Sequence, residues 1–123
     1  MPRMSKADIV RDCFAAYRMK DRRLLEVLLA EEFSFTSPYD DRIDRKTYFE
    51  RCWPNSERIA SHVVEKIFVE GDEAFVRYRC LTREDKEFRN TELFTFDGDK
   101  VRQIEVYFGA TYVDGRFVAQ QST

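Results

Sequence analysis

The chain has 123 residues, of which 43% are hydrophobic and 36% charged, and its formal net charge is −2. This length fits one compact domain with a core of its own, so we expect a single domain over residues 1–123. Both signs of charge are spread along the sequence without a basic stripe, which argues against a nucleic-acid partner. No apolar run approaches a membrane span, and the N-terminus lacks the apolar core of a signal peptide, so we expect a soluble cytoplasmic protein.

The residues that usually bind metals and cofactors are scarce. Cys13, Cys52 and Cys80 are far apart in the sequence, as is typical of reduced thiols in a cytosolic domain. His62 is the only histidine, so we expect no metal site. The four glycines form no phosphate-binding loop, and we expect no nucleotide cofactor.

The first third of the chain predicts two helices. Ser5 is a candidate N-cap, and the first helix should end near Lys20. Its apolar positions at helical spacing are Ile9, Val10, Cys13, Phe14, Tyr17 and Met19. Asp21 then caps a short second helix with a broad apolar face, formed by Leu24, Leu25, Val27, Leu28 and Leu29.

The next segment predicts one strand and a third helix. Residues 33–37 alternate as a strand does, and Pro38 ends it. Residues 39–42 are interpreted as a loop. Asp44 caps a helix from residue 45 to about Trp53, which residues 54–56 break.

The remainder predicts a meander of long strands at 61–70, 74–82, 88–97 and 101–108, with turns at Gly71 and Gly98. Asp114-Gly115 marks a last hairpin within residues 110–119, beyond a core at 5–109. Helices first and strands afterwards predict an α+β domain, in which a curved antiparallel or mixed sheet wraps around three N-terminal helices.

Glu92 is the leading candidate for a functional residue. It shares one strand face with Asn90 and three phenylalanines, because side chains alternate along a strand. If this face points inward, the apolar surroundings raise the pKa of Glu92 and suit it to acid–base chemistry. The alternative is a structural salt bridge with Arg77 or Arg79 of the neighbouring strand.

Four other polar residues each allow two interpretations. Asn90 either has a functional role, in which it orients Glu92 or hydrogen-bonds a substrate oxygen, or is a sheet-face amide satisfied by the backbone. Asp40 is either a displaced base at the pocket mouth or part of a solvated loop. Tyr17 either gives its phenol to the pocket or packs its ring in the core with its hydroxyl at the surface. His62 is either a titratable pocket residue or a surface residue at a strand start.

Several apolar side chains are predicted to line a pocket, although lining and plain core look alike in a sequence. They are Phe33, Phe35, Trp53, Tyr78, Phe94, Val106 and Phe108, and Cys13, Ser37 and His62 are expected to line the same pocket.

The order of elements resembles the cone-shaped fold of the nuclear transport factor two-like superfamily, which includes ketosteroid isomerases, scytalone dehydratase and SnoaL-like polyketide cyclases. The resemblance covers about residues 5–109. It is carried by Lys20-Asp21, by Phe35-Thr36-Ser37-Pro38, and by residues 93–101 running to Tyr107-Phe108-Gly109. Residues 37–42 and 48–54 resemble a bacterial branch of SnoaL-like proteins.

The resemblance implies a bent sheet around an apolar, cone-shaped pocket, and a homodimer through the outer face of the sheet, which would present Gln103, Glu105 and Tyr107. In ketosteroid isomerases a tyrosine and a protonated acid polarise a carbonyl while an aspartate moves the proton. By the resemblance, these three positions fall on Cys13, Glu92 and Ser37. A thiol and a hydroxyl cannot replace a phenol and a carboxylate base, so steroid isomerisation by that mechanism is not expected.

Two functions remain open from the sequence. One is a cofactor-free isomerase, cyclase, dehydratase or epoxide-opening enzyme for a small hydrophobic oxygenated molecule, with Glu92 as acid or base and Asn90, Tyr17 or Asp40 assisting. The other is a non-catalytic dimer that binds an apolar ligand or a partner.

Overall fold

The structure is a computed structural model that describes residues 5–119. Its helices are α1 (Lys6–Met19), α2 (Arg22–Leu28) and α3 (Arg45–Arg51), with a 3-10 helix at Trp53–Arg58. Its strands are β1 (Leu29–Ser37), β2 (Asp40–Asp44), β3 (Ile59–Glu70), β4 (Glu73–Thr82), β5 (Glu87–Asp97), β6 (Lys100–Val113) and β7 (Arg116–Val118).

The three predicted helix caps are present. The side chains of Ser5, Asp21 and Asp44 each accept a hydrogen bond from the backbone N–H three residues later, at 2.9–3.1 Å. These bonds satisfy N–H groups that the first helical turn leaves unpaired. At the other end of α1, Lys20 adopts a left-handed conformation with φ of 57°, which confirms the predicted end of the helix.

The strands form one mixed, curved sheet, so the α+β prediction is confirmed. The strand order is β2-β1-β6-β5-β4-β3, and β7 pairs with β6. The predicted meander from β3 to β6 is antiparallel throughout, whereas β1 joins β6 in parallel. The apolar core lies where α1 and α2 pack on the sheet, and its most deeply buried members include Ile9, Val10, Leu25, Phe33, Val76, Phe94 and Val101.

Four boundary predictions were wrong. Residues 40–44 form β2 rather than a loop, because a two-residue turn at Pro38-Tyr39 lets them pair with β1 as an edge strand, where charged residues are tolerated. Strand β1 begins at Leu29, four residues before the alternating pattern. Helix α3 ends at Arg51, since Pro54 favours the separate 3-10 turn. Strand β6 continues without interruption to Val113.

Two side chains predicted to be buried lie in solvent. Met19 is 58% exposed, because it falls on the opposite side of α1 from the buried stripe. Val27 is 60% exposed, so the apolar face of α2 is narrower than predicted. None of the helices in residues 5–119 is long and apolar enough to cross a membrane.

Candidate active site

A cavity of about 350 Å³ opens between the inner face of the sheet and the helices. Glu92 lies in its wall on β5, between Val76 of β4 and Val106 of β6 in the strand register. The next inward residue, Asn90, lies between Tyr78 and Phe108. The volume is within the range of small-molecule sites.

Glu92 is a carboxyl group in a largely apolar environment. Its side chain is partly accessible, and desolvation by burial raises its pKa to about 7, although a hydrogen bond with Tyr78 acts in the opposite direction. None of the ion pairs between residues 5–119 includes Glu92. Arg77 pairs with Glu65 at 3.4 Å and Arg79 with Glu87 at 3.7 Å, because odd-numbered residues of β4 point to the outer face of the sheet.

Asn90 and Tyr78 hold Glu92 through a chain of hydrogen bonds. The Asn90 side chain is buried, and its Oδ1 accepts a hydrogen bond from the backbone N–H of Gly109 at 3.3 Å. Its Nδ2 therefore faces the Tyr78 hydroxyl, to which it donates at 3.0 Å. With its oxygen engaged in this way, the phenol directs its own hydrogen to Glu92. Asn90 is thus bonded to the backbone through its oxygen and, through its nitrogen, to the phenol that contacts Glu92.

Gly109 occupies a position that excludes larger residues. Phe88 pairs with Thr111 and Asn90 with Phe108, so β6 carries one extra residue between these pairs, as in a β-bulge. A Cβ atom at Gly109 would lie 2.1 Å from the backbone oxygen of Arg89. The bulge also orients the backbone N–H of Gly109 toward Oδ1 of Asn90.

A pair of phenols forms another part of the cavity wall. The hydroxyls of Tyr17 on α1 and Tyr48 on α3 are hydrogen-bonded to each other, and both residues line the cavity. Burial raises the pKa of both phenols, and the charge of Glu92 adds to this effect, so both remain protonated at neutral pH. The Tyr17 ring packs against Trp53 at 4.9 Å between centroids. The Tyr17 hydroxyl is thus hydrogen-bonded inside the cavity wall and does not lie at the surface.

Asp40 supplies a second carboxylate to the cavity. Its side chain is 9% exposed and pairs with Arg51 at 2.8 Å. Ser37 donates its hydroxyl hydrogen to Asp40 at 3.4 Å, and the Cys52 thiol lies 3.9 Å away. Burial and then the charge of Asp40 raise the pKa of Cys52 to about 12. The charge of Asp40 is thus balanced by Arg51, and its side chain lies in the cavity wall rather than in a solvated loop.

His62 enters the cavity wall as a neutral ring. It packs edge-on against Phe14 and Tyr78, with centroids 5.3 and 5.6 Å apart. Burial lowers its pKa to about 4, and among residues 5–119 its buried Nδ1 atom has no hydrogen-bond partner. At neutral pH the imidazole of His62 is therefore uncharged, and it contributes a polar but neutral surface to the cavity wall.

A family model described as a SnoaL-like domain matches residues 10–104. The chain belongs to the SnoaL-like domain family. A comparison with curated proteins found no match.

Solved structures share the fold of this SnoaL-like protein. An NTF2-like protein of unknown function from Cytophaga hutchinsonii is 21% identical, with a TM-score of 0.72 over 88% of this chain and 93% of its own. A putative polyketide cyclase from Sinorhizobium meliloti is 24% identical, with a TM-score of 0.65 over 81% and 94%. An LEH-like epoxide hydrolase from M. tuberculosis is 15% identical, with a TM-score of 0.69 over 83% and 80%. These identities establish the fold alone.

The SnoaL-like fold brings most of the predicted residues to one cavity. Besides Glu92, Asn90, Tyr17 and Asp40, the lining includes Phe35, Ser37, His62, Tyr78, Val106 and Phe108.

Four predicted lining residues lie elsewhere. Phe33 and Phe94 are each only 1% exposed and belong to the core below the cavity. Trp53 lies behind Tyr17, against which it packs. Cys13 is buried outside the lining, close enough to Glu92 that this charge, after burial itself, raises the pKa of its thiol. For Phe33 and Phe94, alternation along the strand indicated the inward face but not how deep each side chain lies.

Other lining residues were not predicted from the sequence. Tyr48 of α3 lies four residues before Cys52, which directly follows the helix, and this spacing could have indicated a shared face. Arg58 at the end of the 3-10 helix and Lys86 in the turn before β5 also line the cavity. Turns lack a periodic pattern that would orient such side chains.

The site offers acid–base and hydrogen-bonding groups. Within residues 5–119, no cluster of three or more His, Cys, Asp or Glu side chains is arranged to hold a metal ion. The groups available are the Glu92 carboxyl, the phenols of Tyr17 and Tyr48, and the Asp40–Arg51 pair. They can transfer a proton and polarise an oxygen.

Proposed function

We propose that this SnoaL-like protein is a cofactor-independent enzyme that moves a proton on a small hydrophobic oxygenated molecule, in an isomerisation, cyclisation or dehydration. The observation that supports it best is Glu92, a carboxyl group with a pKa of about 7 that faces an apolar cavity without a cationic partner among residues 5–119. At neutral pH such a group is present in both protonation states, so it can accept and return a proton.

Each polar group has a role in this proposal. Ionised Glu92 accepts a proton from a carbon next to the oxygenated group. Tyr78 hydrogen-bonds to the carboxyl, and Asn90 holds Tyr78 in place. Of the two phenol hydrogens in the Tyr17–Tyr48 pair, one joins the pair and the other is available to a ligand oxygen. That hydrogen bond stabilises negative charge developing on the oxygen. The structural neighbours named as a putative polyketide cyclase and an epoxide hydrolase are consistent with such chemistry on this fold.

Hydrogen exchange tests the proposal without knowledge of the natural substrate. The protein is incubated in D₂O with hydrophobic ketones and 1,3-dicarbonyl compounds, and loss of the C–H signals next to the carbonyl is followed by NMR. We expect the wild type to accelerate exchange, with a rate that rises with pH around a midpoint near 7, since ionised Glu92 is the base. Glu92→Gln should lose about 100-fold or more of this rate.

The matched control is Glu73→Gln, at an exposed position at the start of β4. It should exchange as the wild type does. Equal exchange by Glu92→Gln and wild type would show that Glu92 is not the base. Binding of these compounds without any accelerated exchange would favour the non-catalytic binding function instead.

We also propose that the protein self-associates through the outer face of the sheet. Phe75 and Tyr107 lie on this face and are 46% and 55% exposed. Light scattering coupled to size exclusion is expected to give twice the mass of one chain, and Tyr107→Glu should shift the mass toward one chain. A wild type that elutes with the mass of one chain at high concentration contradicts this proposal.

A further inference from the structure

The lining of the cavity changes character along β5. Glu92, Asn90, Phe88 and Lys86 are alternate residues that all line the cavity, so they follow one another along its wall. Six residues of extended chain span at most about 20 Å, which is therefore the upper limit on the Cα separation of Glu92 and Lys86. The cavity thus extends from a carboxyl group at one end to an ammonium group at the other.

Between Asn90 and the cationic end the lining is largely apolar. In the strand register Phe88 lies opposite Cys80, and Phe108 lies opposite Asn90. Ile59 of β3, which pairs with Thr82, continues the wall toward the outer end. A ligand that reaches from one end to the other must place hydrocarbon here.

The outer end carries positive charge. Lys86 is partly buried, and no ion pair between residues 5–119 includes it. Arg58 lines the same end, and its one ion-pair partner among residues 5–119 is Glu84 at 3.6 Å, with both side chains more than 40% exposed. Glu87, adjacent to Lys86 in the sequence, pairs with Arg79 instead.

The backbone at this end is held in place. The N–H of Lys86 donates to the Thr82 hydroxyl at 3.1 Å, and the carbonyl of Arg58 accepts from the N–H of Arg83 at 2.9 Å. These bonds fix the turn and the end of the 3-10 helix from which the two cations extend. An anion bound here would meet two donors without displacing a buried ion pair.

We propose that the ligand of this SnoaL-like protein is an elongated hydrophobic molecule that ends in a carboxylate, which binds to Lys86 and Arg58 while the oxygenated reacting end lies at Glu92. This inference rests on the proposed function, whose site it shares, and adds the substrate class. In this arrangement the ligand carboxylate binds at the outer end, away from Glu92. An anion close to Glu92 would oppose the ionisation of Glu92.

Matched ligands test this assignment. Calorimetric titrations compare straight-chain carboxylates of eight to twelve carbons with the corresponding primary amides, which have the same shape and no charge. Wild type should bind the carboxylates about tenfold more tightly, the gain expected of a charged hydrogen bond. Lys86→Met should remove most of this preference, because only Arg58 then remains, whereas Lys46→Met, at an exposed position on α3, should retain it in full.

Two further measurements test the same assignment without Lys86→Met. The preference for carboxylate should decline as ionic strength rises, because the pair is partly exposed to solvent. Lys86→Glu should bind the alkylamine of the same length more tightly than the carboxylate.

The outcomes separate this inference from the proposed function. Equal binding of carboxylate and amide by wild type, or a preference that Lys86→Met retains, would overturn the inference and leave proton transfer at Glu92 to its own exchange assay. Failure of wild type to bind either ligand series would likewise overturn the inference, since an elongated chain would then not enter the cavity, and the exchange assay would still decide the proposed function.

Discussion

Replacement of Glu92 by Gln removes an ionisable group while it preserves the size of the side chain. In the folded protein burial holds the pKa of Glu92 at about 7, against an ordinary value of 4.5. Below 4.5 the group is protonated in both the folded and the unfolded chain, so its burial carries no ionisation cost. As the pH rises from 4.5 to about 7, the unfolded chain ionises first, and the wild type therefore loses stability.

The magnitude of this loss follows from the pKa difference. Each pH unit corresponds to about 1.4 kcal/mol, so the rise from 4.5 to about 7 corresponds to about 3 kcal/mol at high pH. Gln can accept the hydrogen bond from Tyr78 through Oε1, so the variant does not leave that phenol unpaired. We expect Glu92→Gln to gain about 2–3 kcal/mol in unfolding free energy relative to the wild type between pH 4.5 and pH 8, which is several degrees in Tm.

Urea unfolding of both proteins at pH 4.5, 6 and 8 measures this gain. Glu73→Gln is again the matched control, and its difference from wild type should stay nearly constant over this range because its side chain is exposed. A difference between Glu92→Gln and wild type that does not change with pH would refute the reasoning. So would a wild type that is more stable than the variant at pH 8, because that result indicates an ionised Glu92 with a stabilising partner.

Three more outcomes follow from the site. Gly109→Ala should destabilise the protein by about 1–3 kcal/mol in urea, since its Cβ meets the Arg89 backbone oxygen; an unchanged midpoint would contradict the bulge. Tyr17→Phe and Tyr48→Phe should each lower the unfolding free energy by about 1–2 kcal/mol, whereas the double variant should cost less than their sum, because each single change leaves a buried hydroxyl without its partner; additive losses would speak against the pair. The imidazole NMR signals of His62, the only histidine, should titrate near pH 4, and a midpoint above 6 would place the ring in solvent instead.

Local patterns predicted much of the fold. The caps at Ser5, Asp21 and Asp44 and the meander of strands were readable because each depends on neighbours in the sequence. Strand β2 was missed, since its charged residues have low strand propensity and only pairing with β1 makes them extended.

The sequence by itself determined that Glu92 and Asn90 share one face of a strand, because alternation along a strand is a local property. Only the tertiary structure decided what surrounds them. The meeting of Tyr17 with Tyr48, the pairing of Asp40 with Arg51 and the absence of a cation beside Glu92 among residues 5–119 depend on how separate elements pack. Burial depth is also a property of the whole fold, which is why the same alternating pattern placed Glu92 at a cavity and Phe94 beneath it.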